Sequence, residues 1–369
     1  MRLLSSFFFF LEQRTLEPAS LLATLQKRYA FQRETLERIV AFWTEHCELP
    51  EDTSPQGLSW RYAFPLWMTE KLLETRSADE VAALYRAMNT PAPVVLRVNT
   101  MKTTREALQE KLRSEGIEVR KGYLSPDALY CKERRNVMQT EAFKQGLFEI
   151  QDEGSQLISW LLKPKPGQKV LDACAGGGGK TLHLATLMHG KGKVFAFEKY
   201  EKRFGNIHER IRRSGLQNIE LVRPEQFELF EKKFGGKLDA ILIDAPCTGS
   251  GTVRRNPDLK LRLTKEALQK MVQVQIEVLS RYAPLLKEGG TAVYATCSIF
   301  EDENEHVVET FLKRYTSFKC ISAEEQLKAS QTTEELAALI ARVQQAPYLK
   351  LLPHQDETDG FFAALLMKT

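Results

Sequence analysis

The stretch Val170-Leu-Asp-Ala-Cys-Ala-Gly-Gly-Gly-Gly-Lys-Thr181 decides the fold of this 369-residue chain. A short apolar strand over residues 169–171 runs into four consecutive glycines, and a helix rich in leucine follows from about Lys180. Glycines let a backbone approach a ligand closely, and the N–H groups at a helix start offer hydrogen-bond donors. The stretch therefore predicts a strand, a loop and a helix that bind a cofactor.

Spacing decides between three candidate cofactors. A phosphate-binding P-loop ending at Gly179-Lys180-Thr181 needs its first glycine at position 174, which is a cysteine. A dinucleotide fingerprint starting at Gly176 needs a glycine at 181, which is a threonine. A second predicted strand ends at Glu198, about 20 residues on, as a ribose-binding carboxylate requires. S-adenosylmethionine, which has a ribose but no phosphate, suits this pattern best.

Composition sets broad limits on the protein. The net charge of +4 and a pI near 8.6 permit a polyanionic partner without requiring one. The six cysteines form no C-x-x-C pair, which predicts no metal site and a reducing, cytoplasmic location. The apolar start, residues 3–11, is short, follows a single arginine and lacks a cleavage site, so it is interpreted as a buried helix and not a signal peptide. No apolar run is long enough to span a membrane.

Periodicity predicts three regions along the chain. Residues 1–57 show helical spacing of apolar residues and form a helical N-terminal segment. Residues 58–149 read as a small α+β, RNA-recognition-like unit. From 150 to 369 strands and helices alternate, which is typical of a doubly wound parallel sheet of Rossmann-like α/β class, with an inserted helix over 332–345.

Acids and cysteines follow the predicted strands of this sheet. Asp244 ends one strand, Cys247 lies three residues further, and Cys297 follows another strand. A lone cysteine at such a place is usually an inert small hydrophobe, whereas two beside a methyl donor favour nucleophilic chemistry. Carbon 5 of a pyrimidine becomes nucleophilic when a thiolate adds to C6, and the reaction also needs a group that holds N3 and N4 and an acid or base for release. These residue types fit, but chemistry alone does not order the two cysteines.

Several motifs together resemble the Sun-type (RsmB/Nop/Sun) RNA cytosine-5 methyltransferases, and in particular the bacterial RsmB branch that methylates 16S ribosomal RNA. The motifs are Leu171-Asp-x-Cys-Ala-x-x-Gly-Gly-Lys-Thr, Asp244-Ala-Pro-Cys-Thr-Gly-Ser-Gly, Ala295-Thr-Cys-Ser, Glu303-Asn-Glu, Asp359-Gly-Phe-Phe and Arg97-Val-Asn-Thr. The resemblance runs from about residue 62 to the C-terminus. It implies an S-adenosylmethionine-dependent RNA (cytosine-5-)-methyltransferase that acts in rRNA processing.

The resemblance also implies roles for individual residues. Cys297 is then the nucleophile, Cys247 assists product release, and Asp244 lies near both the cytosine and the methionine end of the cofactor. Glu198 takes the ribose hydroxyls and Glu225 lies near the adenine. The loop residues that line the cofactor are Cys174, Ala175, Gly176, Gly177, Gly178, Gly179 and Lys180.

Three departures from the family pattern keep alternatives open. Gly176 and Gly177 replace the usual alanine and proline, which gives a more flexible loop with a larger ordering cost. Glu225 stands where aspartate is usual, and the N-terminal segment is shorter. The altered loop and the short N-terminal segment leave a catalytically weak RNA-binding ribosome assembly factor as one alternative. A tRNA cytosine-5 methyltransferase is another, because loops set which base is methylated. The protein is expected to be a monomer.

Basic residues outside the motifs carry two further expectations. Those that follow the Pro-Cys loop are predicted to contact phosphate: Arg254, Arg255, Lys260, Arg262 and Lys265. Those on the helix after Glu198 are predicted to be solvated: Lys202, Arg203, Arg210, Arg212 and Arg213. Lys180 either fills the first turn of its helix or bridges to Asp172 or Asp244.

Overall fold

The computed structural model describes Glu34, Glu37 and residues 52–328, 333–343 and 347–369. The predicted helical segment at the N-terminus lies almost wholly outside these residues. The described chain forms two compact units. Within the described ranges, no helix combines the length and apolar character needed to cross a bilayer. The region boundaries at 57 and 149 stay a prediction.

The smaller unit combines helices from three parts of the chain. They are α1 (Pro55–Tyr62), α2 (Leu66–Leu73), α3 (Ala78–Met88) and two short helices, Leu259–Arg262 and Pro353–Asp356. In its core, Phe64 stacks on Tyr85 with ring centroids 3.8 Å apart. Lys260 is buried there, donating to Asn89 and to the carbonyl of Tyr62, with its amine 4.3 Å from the Phe64 ring. The expected phosphate contact of Lys260 is therefore wrong, because its ammonium is used inside the unit.

The larger unit begins with a four-stranded antiparallel sheet in the order β2-β3-β1-β4. Its elements are β1 (Val95–Val98), α4 (Arg105–Ser114), β2 (Val119–Lys121), β3 (Ala128–Cys131) and β4 (Phe148–Ile150), with a short helix over Glu141–Lys144 before β4. Apolar side chains of β1 and β4 pack against Leu108 and Leu112 of α4. Thr104 caps that helix by accepting from the Ala107 amide.

An eight-stranded sheet forms the rest of the larger unit, in the order β10-β12-β9-β8-β5-β6-β7 with β11 paired to β12. Its strands are β5 (Lys169–Asp172), β6 (Lys193–Phe197), β7 (Ile219–Val222), β8 (Leu238–Asp244), β9 (Leu286–Thr296), β10 (Phe318–Ile321), β11 (Leu349–Leu351) and β12 (Phe361–Lys368). Its helices are α5 (Glu153–Leu162), α6 (Gly179–Leu187), α7 (Phe204–Ser214), α8 (Phe227–Phe234), α9 (Lys265–Tyr282), α10 (Glu305–Arg314), α11 (Ala323–Lys328) and α12 (Glu334–Arg342). The last of these is the predicted inserted helix.

Helices cover both faces of this sheet, so its central strands are apolar throughout. Val170 of β5 belongs to the core under α5 and α6, whereas its neighbour Leu171 belongs to the core on the opposite face. Strands buried on both sides read as continuous apolar runs, as β8 does. The predicted Rossmann-like methyltransferase sheet is confirmed.

One strand of the sheet departs from the parallel arrangement of the predicted doubly wound sheet. Strands β5 to β9 pair in parallel, but β12 runs antiparallel to both β9 and β10. Both kinds of pairing bury the same apolar residues, and therefore the sequence pattern did not distinguish them.

Candidate active site

The predicted site residues lie at one edge of the eight-stranded sheet. Parallel strands carry their carboxyl ends to the same edge, where ligands of open α/β sheets bind. Backbone hydrogen bonds hold these ends in register. The Ala173 amide donates to the Leu242 carbonyl and the Ala245 amide donates to the Ala295 carbonyl, each at 2.8 Å. The ends of β5, β8 and β9 are thereby fixed side by side.

The tetraglycine loop joins β5 to α6 and turns sharply. Gly178 caps α6 with φ 81°, and Gly176 has φ 57°, a left-handed conformation that costs a residue with a Cβ. The loop closes on itself through the Gly178 amide, which donates to the Ala175 carbonyl over 2.7 Å. The N-cap of α6 is a glycine without a side-chain hydrogen bond to the helix, and the first N–H groups of the helix come directly after the glycine turn.

Glu198 follows β6 and is tied to the loop. Its Oε2 accepts from the Gly176 amide at 2.8 Å and from Arg203 at 3.1 Å, and its Oε1 accepts from the Tyr200 amide at 2.9 Å. The residue is 4% exposed. Because a carboxylate oxygen can accept two hydrogen bonds, Oε1 keeps capacity for a hydroxyl donor. An acceptor with this free capacity fits the ribose hydroxyls of S-adenosylmethionine.

Lys180 and Asp244 form an ion pair at the centre of the edge, with Nζ 2.7 Å from Oδ2. Burial lowers the pKa of Lys180, but Asp244 and the nearby Cys297 outweigh it and the pKa is raised, so the amine stays charged. Of the alternatives left open for Lys180, the structure shows the bridge to Asp244. The pair places a positive charge within electrostatic range of Cys297.

The two cysteines meet although 50 residues separate them in sequence. The Cys247 and Cys297 sulfurs lie 3.3 Å apart. The hydrogen bond with Cys297, followed by burial, raises the pKa of the Cys247 thiol well above its usual range. Cys247 is therefore held as a protonated thiol.

A buried carboxylate, Glu303, holds the loops that carry both cysteines. One oxygen accepts from the Thr248 amide at 2.7 Å and from Gln275 at 2.9 Å, and the other accepts from the hydroxyls of Thr248 and Ser298. Gln275 also donates to the Pro246 carbonyl at 3.0 Å. Thr248 and Ser298, one next to each cysteine, thus converge on one carboxylate, and Gln275 links that carboxylate to the Pro246 carbonyl.

Two groups beneath the loop have raised pKa values. Burial, and to a smaller degree the charge of Asp244, raises the pKa of Asp172 to about 7, although Thr181 donates to its Oδ2 at 2.6 Å. Burial and the acids at positions 172, 244 and 198 also raise the pKa of the Cys174 thiol. Cys174 is therefore held as an uncharged thiol.

The other predicted residues have different surroundings. Glu225 follows β7 and is exposed, with its carboxylate 4.0 Å from Arg223. The expectation that the basic residues of α7 are solvated is wrong for Arg210 and Arg213, which both bind the buried carboxylate of Glu149. No cluster of three or more His, Cys, Asp or Glu side chains suited to a metal occurs in the described part of the chain.

Sequence reasoning missed the roles of Glu303 and Arg97. Both lie in quoted motifs, but a glutamate after a Thr-Cys-Ser loop and an arginine inside a strand give no signal of burial. In the structure they are 0% and 3% exposed. The available hint was the presence of a charged residue within an otherwise apolar or motif segment. Charged residues are seldom buried unless they are paired, so a charged residue at such a position suggests a buried partner.

Comparison with known families gives two matches. Residues 159–367 match the model of the 16S rRNA methyltransferase RsmB/F family, and residues 64–138 match the ferredoxin-like domain of RsmF/B-like methyltransferases. The first match alone covers more than half of the chain, and the second covers much of the predicted α+β unit.

Individual relatives agree with the family models. The chain is 34% identical over 304 residues to a probable ribosomal RNA small subunit methyltransferase B of Bacillus subtilis, covering 82% of this chain and 66% of the relative. It is 34% identical over 308 residues to ribosomal RNA small subunit methyltransferase B of Pseudomonas syringae, covering 84% and 66%. The crystal structure of a methyltransferase homologue from Pyrococcus horikoshii superimposes with a TM-score of 0.71 at 27% identity, covering 86% of this chain and all of that one. The chain thus spans about two thirds of the length of these bacterial relatives, and it belongs to the RsmB/F family of methyltransferases, whose cofactor is S-adenosylmethionine.

Proposed function

We propose that this protein methylates carbon 5 of a cytosine in RNA, and that its substrate is 16S ribosomal RNA. The observation that carries the proposal is the pair of cysteine sulfurs 3.3 Å apart beside the Lys180–Asp244 ion pair. RNA is a polyanion, in keeping with the mild positive charge of the chain. We place this activity in the cytoplasm and in a monomer.

The loop and the strand ends would hold the cofactor. Glu198 would accept the ribose hydroxyls, the residues Cys174 to Lys180 would line the bound molecule, and Glu225 would lie toward the adenine. When bound, S-adenosylmethionine supplies an electrophilic methyl group. Fixing this group against the cytosine converts an encounter of separate molecules into a step within one complex.

Cys297 would act first, as the nucleophile. Its thiolate would form a bond from sulfur to C6 of the cytosine, and the C5=C6 electron pair would shift so that C5 becomes nucleophilic. The ammonium of Lys180 would stabilise the negative charge on Cys297 before attack. Asp244, whose side chain is 31% exposed, would accept from the N4 amino group of the cytosine, and from N3 once that nitrogen carries a proton.

Release of the product needs the reverse electron flow. Once C5 had bonded to the methyl carbon of S-adenosylmethionine, with the S–CH3 bond broken to leave S-adenosylhomocysteine, a base would remove the C5 proton. The electron pair of that C–H bond restores C5=C6, and the C6–S bond breaks to return Cys297 as a thiolate. Cys247 would assist this step, and its raised pKa supports a protonated group next to the departing sulfur.

Substitution of each cysteine tests the assignment. Cys297→Ser is expected to abolish methyl transfer, because a hydroxyl is a far weaker nucleophile. Cys247→Ser is expected to accumulate a covalent RNA–protein adduct, visible as a band shift on a denaturing gel. Methyl transfer at the wild-type rate by Cys297→Ser would refute the mechanism, as would an adduct that persists in the Cys297→Ser, Cys247→Ser double variant.

Bisulfite sequencing of total RNA tests the substrate. Cells that lack this gene are expected to lose one 5-methylcytosine signal in 16S ribosomal RNA. A signal lost from tRNA instead would replace the substrate but keep the chemistry. No lost signal, together with no calorimetric binding of S-adenosylmethionine at millimolar concentration, would favour an RNA-binding assembly factor.

A further inference from the structure

The tetraglycine loop is contacted from outside by two arginines. Arg97 of β1 donates through Nη1 to the Gly179 carbonyl at 2.6 Å. Arg210 of α7 donates through Nη1 to the Gly177 carbonyl at 2.7 Å. The first arginine comes from the four-stranded sheet and the second from a helix of the eight-stranded sheet, so the loop is held from two independent elements.

One carboxylate links these two arginines. Glu149 of β4 is the direct cross-strand neighbour of Arg97, and its charge helps to keep that arginine protonated. The Nε of Arg210 donates to Glu149 Oε2 at 3.0 Å, and Arg213 donates to Oε1 at 2.6 Å. Glu149 is 4% exposed. The buried anion therefore orients the guanidinium of Arg210, whereas Arg97 donates to Gln151 Oε1 as well as to the Gly179 carbonyl.

Local helix stability does not account for these contacts. Arg97 brings a positive charge to the start of α6, which is the positive end of the helix dipole and an unfavourable place for a cation. The Nε of Arg97 is buried without a hydrogen-bond partner. The position of Arg97 is therefore electrostatically unfavourable for the helix. The two arginines instead fix the positions of the Gly177 and Gly179 carbonyls.

A loop of four glycines has much to gain from such restraint, because glycine loses more conformational freedom on ordering than any other residue. The lack of a side chain at Gly177 also makes room for the clamp, since a Cβ there would lie 3.1 Å from Nη1 of Arg210. The absence of side chains thus makes the loop flexible and also lets Arg210 reach it.

We propose that Arg97 and Arg210 are positioning residues that hold the tetraglycine loop in its cofactor-binding conformation, with Glu149 coupling the loop to the four-stranded sheet. We call these three residues the arginine clamp. The inference rests on the proposed function in that the loop binds S-adenosylmethionine.

Arg213 supplies a matched control, because it lies on the same helix and binds the same carboxylate but stacks on Phe143 at 3.9 Å instead of contacting the loop. Titration calorimetry with S-adenosylhomocysteine compares Arg210→Ala, Arg210→Lys and Arg213→Ala. Arg210→Ala is expected to weaken binding about tenfold, equivalent to about 1.4 kcal/mol, whereas Arg213→Ala changes it less than threefold. Arg210→Lys is expected to recover part of the loss, because its ammonium can still reach one carbonyl.

A second measurement uses the protein without cofactor. Hydrogen exchange of the loop peptide is expected to be faster in Arg210→Ala than in Arg213→Ala, since the Gly178 amide bonds within the loop. Equal affinity and equal exchange in these two variants would overturn the clamp and leave Glu149 with a structural role. If the wild-type protein fails to bind the probe, the proposed function is refuted, while the exchange comparison still decides whether the arginines hold the loop.

Discussion

Removing the carboxylate of Glu303 tests whether one buried side chain sets the distance between the cysteines. Two hydrogen bonds end on each of its oxygens. In Glu303→Ala, Gln275 keeps the Pro246 carbonyl as a partner and the two hydroxyls can rotate, but the buried Thr248 amide loses its acceptor. With hydrogen bonds to a charged group at about 1.5–3 kcal/mol each, we expect a loss of about 3–5 kcal/mol in the free energy of unfolding.

Glu303→Gln refines this prediction. The glutamine keeps one oxygen for the Thr248 and Gln275 donors, and its amide group can donate to the two hydroxyls, so the expected loss is only about 1–2 kcal/mol. Urea denaturation followed by tryptophan fluorescence measures both losses. Reaction of the native protein with a thiol reagent reports on the cysteine loops and is expected to be faster for Cys247 and Cys297 in both variants.

Glu309 provides the control for these measurements, because it is an exposed glutamate on the adjacent helix α10. Glu309→Ala is expected to change the unfolding free energy by no more than about 0.5 kcal/mol and to leave thiol reactivity unchanged. If Glu303→Ala stays within about 1 kcal/mol of the wild type and its cysteines react at the wild-type rate, the network does not hold the two loops.

Two further predictions concern buried charged groups. Burial raises the pKa of Asp172 from 3.8 to about 7 and lowers that of His183 from 6.5 to about 4. The contribution of Asp172 to the free energy of unfolding is present below about pH 4 and is lost as the pH rises to about 7. The contribution of His183 is present above about pH 6.5 and is lost as the pH falls to about 4. Each contribution amounts to about 3–4 kcal/mol. Denaturation at several pH values is therefore expected to show a nearly flat wild-type curve, a stability that falls toward acid in Asp172→Asn, and one that rises toward acid in His183→Gln. Parallel curves for all three proteins would contradict both pKa shifts. Lys260→Met is expected to cost about 2 kcal/mol in stability while leaving the salt dependence of RNA binding unchanged, because its amine is bonded within the smaller unit. If the slope of RNA affinity against salt concentration fell by about one in Lys260→Met, Lys260 would contact phosphate after all.

Much of the fold follows from local pattern. The apolar runs at β5 and β8, the glycines after residue 175 and the acid at position 198 each depend on neighbours within a few residues, so they can be recognised without tertiary contacts. The helix over Ala78–Met88 likewise has local causes, since Ser77 caps it and apolar residues recur at helical spacing. The antiparallel direction of β12 was not predictable, because a buried strand has the same pattern in either direction.

The fold class and the glycine loop can be predicted from the sequence alone, as can the residue types of the proposed chemistry, because these depend on glycine freedom, strand periodicity and the properties of thiols and carboxylates. Only the tertiary structure decided that Cys247 lies against Cys297, that Glu303 holds both of their loops, and that Arg97 and Arg210 contact the glycine loop. The physical reason is burial across long sequence separations. Whether a charged side chain is solvated or enclosed depends on which distant strand or helix packs over it, and no local pattern encodes that partner.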